Sequence, residues 1–120
     1  MTTLAEGPMS KEPKDLLHGT LDVLILKSLT LGPAHGYAVS RWIEDRTRGV
    51  LVVEDAALYK ALHRLEAAGA IESDWGVSES KRKAKYYQLT RRGRAVLKAE
   101  ADVWQRYAAA VLSVLKAAEA

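Results

Sequence analysis

A mainly α-helical fold with one small β-hairpin is predicted by three observations in this 120-residue chain. Apolar residues recur at three- and four-residue spacing through most of it, the period of helices with one buried side. Strand-like alternation shows only in short stretches, the clearest being Lys85-Tyr86-Tyr87-Gln88-Leu89. Around that stretch charge is segregated: Lys81 to Lys98 holds eight Lys or Arg residues and no Asp or Glu.

The length suits one domain with a core and is too short for two. Apolar (48%) and charged (28%) fractions are those of a soluble globular protein. Net charge is only +3, so the basic run is a local patch rather than a property of the whole chain. With no cysteine, disulfides and Cys-ligated zinc are excluded, and the composition suits a cytoplasmic location. The apolar run Leu21–Leu26 is too short to cross a bilayer, and nothing before it has a signal-peptide layout, so no membrane partner is expected.

Residues 1–14, with two Pro and mixed charge, read as a disordered leader in which Met9 offers a second start. Asp15 to Leu31 reads as the first helix. Leu17, Leu21, Leu24 and Ile25 line one face, while Val23, Leu26 and Leu29 add a second apolar stripe. Such a helix is covered on more than one side. Gly32-Pro33 stops it. A second helix is expected over His35–Arg48, with Ala38, Val39, Trp42 and Ile43 inward. Leu51-Val52-Val53 then fits a small first strand. Asp55 suits the N-cap of a third helix, with Leu58, Leu62 and Leu65 as its core stripe. Gly69 suits the position just past its end, with Ile71 as the accompanying apolar contact.

Two strands should follow, Ile71–Val77 and Lys85–Leu89, joined by the polar, basic connector Ser78–Ala84. Thr90 caps a last helix running to about Ala118. Leu97, Ala101, Trp104, Ala108, Val111 and Leu115 alternate along it by four and three, forming an a/d seam. No other segment is long enough to cover that seam, so a second copy is the expected partner. The predicted order is helix, helix, short strand, helix, two strands, long helix. This describes a winged helix–turn–helix DNA-binding domain over 15–89 and a C-terminal dimerisation helix over 90–120.

Spaced blocks in this order resemble the PadR-type transcriptional regulators. His18-Gly19-Thr20-Leu21-Asp22-Val23-Leu24-Ile25-Leu26 is similar to the family's first-helix signature, and Gly32-Pro33-Ala34-His35-Gly36-Tyr37 to its turn into the second helix. Leu58-Tyr59, Leu62, Arg64-Leu65-Glu66, Gly69 and Ile71-Glu72-Ser73 follow its recognition-helix block. Lys85-Tyr86-Tyr87-Gln88-Leu89-Thr90 and Gly93 resemble its second wing strand and last-helix start. The similarity spans about residues 16–107, and the single closing helix resembles the shorter subgroup. The recognition helix opens differently. Asp55-Ala56-Ala57-Leu58-Tyr59-Lys60 stands where the family has Gly-Ser or Gly-Thr and then Leu-Tyr-Pro. Ala57 removes a hydroxyl that could bond phosphate, Lys60 adds a charge that could replace it, and the preferred operator is expected to differ.

The N-terminal half of a recognition helix enters the major groove. With Leu58, Leu62 and Leu65 inward, Ala56, Ala57, Lys60, His63 and Arg64 are expected on or near the outer face. Lys60 and Arg64 lie one turn apart, and Arg64 either reads a guanine or pairs with Glu66 or Glu72. Tyr59 either donates to a phosphate or packs half-buried with a wet tip. Tyr37 and Arg41 are secondary phosphate candidates, and Lys81, Arg82 and Lys83 are expected to straddle the DNA backbone or probe the minor groove. Lys85 is contact or scaffold, and Arg91, Arg92 and Arg94 support the local potential. Trp42 reads as core and Trp75 as sheet cover.

The resemblance implies a homodimer bound to double-stranded DNA at an inverted repeat, acting as a repressor. It also implies that a flat aromatic effector could sit between last helices, where Trp104 would face its symmetry mate. The seam by itself reads first as packing, since an aromatic at helical spacing is more often core. No cofactor or metal is implied, since His18, His35 and His63 lack ligand spacing, and no nucleophile or phosphate-cradle motif is present. An enzyme is therefore not expected. Two other readings are a winged helix docking an acidic protein and a basic protein coating DNA without sequence preference.

Overall fold

The computed structural model describes residues 20–118. The predicted leader, the start of the first helix at Asp15 with Leu17, and His18-Gly19 lie outside the described residues. The first described helix, α1 (Leu21–Ser28), buries Leu21, Ile25 and Leu26 and continues into a 3₁₀ turn, Leu29–Leu31, that buries Leu29. Burial on two sides is what its doubled apolar stripe predicts. Ser28 is buried among them and donates its hydroxyl to the Ile25 carbonyl at 2.7 Å, which satisfies that buried hydroxyl.

The short first strand lies before the second helix, not after it. β1 (Ala34–His35) pairs antiparallel with β3 (Lys83–Leu89), Ala34 opposite Tyr87 and His35 opposite Tyr86. Leu51–Val53, predicted as that strand, forms no strand. A strand exists only where a neighbour offers unpaired backbone groups. β3 is the middle strand of the order β1–β3–β2, with Ala34–His35 on the edge not taken by β2 (Ile71–Val77). The Leu51–Val53 segment instead sinks Val53 into the core and leaves Val52 exposed.

Helix α2 (Gly36–Arg46) buries Val39 and Ile43, and Trp42 packs against the same core as predicted. It starts one residue later than predicted because His35 is its N-cap. The Nδ1 atom of His35 accepts from the Ala38 N–H at 3.2 Å. Thr47 ends the helix and its hydroxyl also accepts from Leu51 N–H, fixing the turn into α3 (Asp55–Ala67). Helix α3 buries Leu58, Ala61, Leu62 and Leu65. Glu54 rather than Asp55 occupies its N-cap position, and no side chain caps it; Asp55 sits in the first turn, where its charge favours the helix dipole. At the other end Gly69 takes φ 79° while Gly69 N–H and Ala70 N–H bond back to Glu66 and Leu65 carbonyls. This is a Schellman closure, and Ala70, not Ile71, fills its apolar position.

The hairpin of β2 and β3 places Ser73 opposite Tyr87 and Trp75 opposite Lys85. β3 starts at Lys83, two residues earlier than predicted, so the connector is shorter. Thr90 caps α4 (Arg91–Leu115) by accepting from Gly93 N–H at 3.0 Å, and donates to the Gly69 carbonyl at 2.6 Å. Gly93 sits so close that a Cβ there would stand 1.9 Å from the Ala70 carbonyl oxygen. One joint therefore locks the end of α3 to the beginning of α4. The first turns of α4 pack Val96 and Leu97 on the chain's own core and cross α1, so Leu97 is already covered within one copy. Beyond them the helix leaves the domain. Trp104 is 41% and Leu115 72% exposed, with Val111 between them also uncovered.

Candidate nucleic-acid interface

The α2 start, the front of α3 and the wing enclose an open groove of about 770 Å³. Its helical wall is His35, Gly36, Tyr37 and Tyr59; its wing wall includes Trp75, Arg82, Lys83 and Lys85. Folding thus brings five predicted contact residues, Tyr37, Tyr59, Arg82, Lys83 and Lys85, to one concavity. Tyr59 is half exposed and lies against Gly36, where any Cβ would fall 2.7 Å from its hydroxyl oxygen. Close approach at Gly36 lets that phenol reach the groove.

Lys60 and His63 lie exposed on the free face of α3, as its Leu58–Leu62–Leu65 stripe predicts. Ala57 does not join them: it turns inward, partly buried against the core, because it lies one turn before the buried Ala61. Arg64 is also on the free side, but its guanidinium bonds Asp22 of α1 rather than Glu66 or Glu72. Those two carboxylates are engaged elsewhere: Glu66 accepts from the Ser73 hydroxyl at 2.6 Å, and Glu72 from the Gln88 amide at 2.9 Å. Arg41 lies 6.0 Å over the Tyr37 ring and 3.6 Å from Asp45. Its pKa is raised, first by Tyr37 and then by Asp45.

At the wing tip, Ser78 N–H donates to the Arg82 carbonyl and Lys81 N–H to the Ser78 carbonyl, a tight turn that puts Lys81 at φ 63°. Lys81 is exposed to solvent in that turn. Lys83 stands 5.1 Å from the centre of the Trp75 ring. Trp75 itself is 60% exposed, so it does not cover the sheet as predicted. It extends an aromatic surface beside the wing cations, and its position so near the tip, where no helix reaches, was the available signal. Lys85 is 3.8 Å from Glu66 and 6.0 Å over the Tyr87 ring. Burial, then the Glu66 charge, pushes the Tyr87 phenol above its ordinary value.

His35 is the other residue that spacing rules passed over. Sought as a metal ligand it has no companions, and among the described residues no cluster could hold a metal. Its position directly before a helix was the informative feature. Its ring also stands 5.4 Å edge-on to Tyr86, pinning α2 to the wing strand. Among the described residues no helix is long and apolar enough to cross a membrane.

The arrangement has the parts a duplex-binding surface needs. Helix α3 presents an exposed face carrying Lys60, and a basic hairpin beside it can meet phosphates. Comparison with known proteins agrees with this geometry. The sequence model of the transcriptional regulator PadR-like family matches residues 25–99, more than half of the chain. A curated protein of Lysinibacillus sphaericus is 33% identical over 90 residues, which cover 75% of this chain and 83% of that protein. The solved structure of a transcriptional regulator from Clostridium thermocellum matches with a TM-score of 0.76 at 31% identity, covering 85% of this chain and 99% of its own. A PadR family regulator from Eggerthella lenta matches with a TM-score of 0.71 at 33% identity, covering 87% and 88%.

Proposed function

The chain belongs to the PadR-like family of transcriptional regulators, and from that premise we propose a homodimeric, sequence-specific repressor acting in the cytoplasm. It is a regulator, not an enzyme. The observation that carries the proposal is the groove in which α2, α3 and the basic wing converge on one side of the molecule. In the proposed complex α3 enters the major groove with Lys60 and His63 foremost. Arg64 reaches DNA only by leaving Asp22, so Lys60 carries most of the base reading. Tyr37, Tyr59 and Arg41 meet one strand's phosphates while Lys81, Arg82 and Lys83 straddle the neighbouring backbone.

The dimer is built by the uncovered stretch of α4, with Ala101, Trp104, Ala108, Val111 and Leu115 facing a second copy. Two recognition helices would then sit about one helical turn apart, ~34 Å, on an inverted repeat. Trp104 is the residue against which a flat aromatic effector would stack. Such an effector releases DNA if it favours a head spacing that the operator does not match.

Selection of bound duplexes from a random pool, followed by titration of the winner against salt, tests the reading. An enriched inverted repeat should emerge, preferred over random sequence by roughly 10³ or more. A dimer making about 6–10 phosphate contacts should lose roughly 10³–10⁵ in affinity between about 50 and 200 mM salt. Binding without enrichment would indicate a sequence-blind DNA protein. No binding at all would leave the basic wing to an acidic protein partner.

A further inference from the structure

We propose that Glu66 tunes the sequence-independent DNA affinity of this regulator by withholding Lys85 from the DNA backbone, an inference that rests on the DNA-binding reading above. The three cations lining the groove are not equivalent. Among the described residues, Arg82 and Lys83 form no ion pair. Lys85 does, with its ammonium 3.8 Å from Glu66 and over the Tyr87 ring. Glu66 sits in the last turn of α3 and grips both strands of the wing. Its other oxygen accepts from Ser73 on β2 at 2.6 Å, while Lys85 lies on β3.

An ion pair with both side chains a third or more exposed contributes little to stability. Its effect on DNA is different in kind. Sequence-blind affinity comes from cations that displace counterions from phosphates. Lys85 lines the groove and could supply one such contact. Glu66, which stands behind the groove's lining and not in it, cancels that contact by holding the ammonium. Base reading by Lys60 lies elsewhere on α3 and is untouched. The pair thus lowers binding to all sequences alike while leaving the preferred site its advantage. Glu66 is a positioning residue, acting through Lys85.

The test measures binding of a mixed-sequence duplex of about 30 base pairs by fluorescence anisotropy, from about 50 to 200 mM salt. Glu66→Gln keeps an acceptor for Ser73 and removes the charge. It should bind several-fold tighter at the low end, with a log–log salt slope steeper by about 0.9, one phosphate's worth. Adding Lys85→Met to it should cancel that gain. Glu72→Gln changes net charge equally on the other face of the wing, where Glu72 bonds Gln88, and should leave the slope unchanged. Lys85→Met alone, which does not depend on how Glu66→Gln folds, should also leave the slope unchanged because Lys85 is already occupied. The inference is overturned if Glu66→Gln gains nothing, if Glu72→Gln gains as much, or if Lys85→Met alone flattens the slope by about one contact. A wild-type protein that binds no duplex at any salt overturns the DNA-binding reading and this inference together.

Discussion

Lys60 and Arg64 stand one turn apart on the same side of α3, yet their charges are differently placed. Lys60 is exposed and forms no ion pair among the described residues, whereas Arg64 is anchored to Asp22 on α1. Lys60→Ala should therefore change which sequence a random pool enriches. Arg64→Ala should leave the enriched sequence as it is and lower stability by less than about 1 kcal/mol, the scale of an exposed pair. Pool selection and thermal melting of the two variants measure this division. If Arg64→Ala shifted the selected sequence, Arg64 would be reading bases. Helical spacing alone made both residues visible as candidates. It could not supply Asp22, which lies 42 positions away and meets Arg64 only after α1 packs across α3. Ala57 turns inward for the opposite reason: one alanine weighs little in an apolar stripe, and only the buried Ala61 beneath it shows which way it turns.

Elements with strong local signals sit where the sequence predicts them. The Leu58–Leu62–Leu65 stripe yields α3, the Thr90 cap yields α4, and Ile71–Val77 is a strand over its predicted length. Leu51–Val53 fails because strand propensity expresses a fit to neighbours more than a backbone preference. Ala34–His35, with a weaker strand composition, wins the edge of β3 because the turn at Gly32-Pro33 delivers it there. The wing tip allows a cleaner substitution than alanine. Lys81 already adopts a left-handed backbone, so Lys81→Gly removes its charge without backbone strain. It should weaken binding to every duplex alike and reduce the salt slope by about 0.9. Titration of the preferred and random duplexes checks this, and a loss confined to one sequence would move Lys81 from clamp to reader.

The molecule as a whole is a compact head on an arm. Its radius of gyration is 17.1 Å, against about 13 Å for a compact domain of 100 residues, and it measures 58 × 28 × 25 Å. Most of the excess is α4, about 38 Å long at 1.5 Å per residue. Its outer half carries Trp104, Tyr107, Leu112 and Leu115 in solvent, a face that a single copy leaves wet. Trp104→Asp should convert the proposed dimer to monomers in sedimentation, and should abolish the rise of melting temperature with protein concentration that a dimer shows. A dimer that survived the substitution would exclude this face as the principal contact. The joint at Gly93 makes the arm more than a handle. No Cβ fits between α4 and the Ala70 carbonyl, so the base of the arm seats directly on the head and the arm's direction fixes where the head points. A tilt of about 5° between paired arms of this length moves their far ends by about 3 Å. In the proposed dimer, exchanging small residues such as Ala101 or Ala108 for larger ones re-angles the arms and so retunes the gap between half-sites. Lineages carrying this architecture could drift from one operator spacing to another without altering any side chain that faces the duplex.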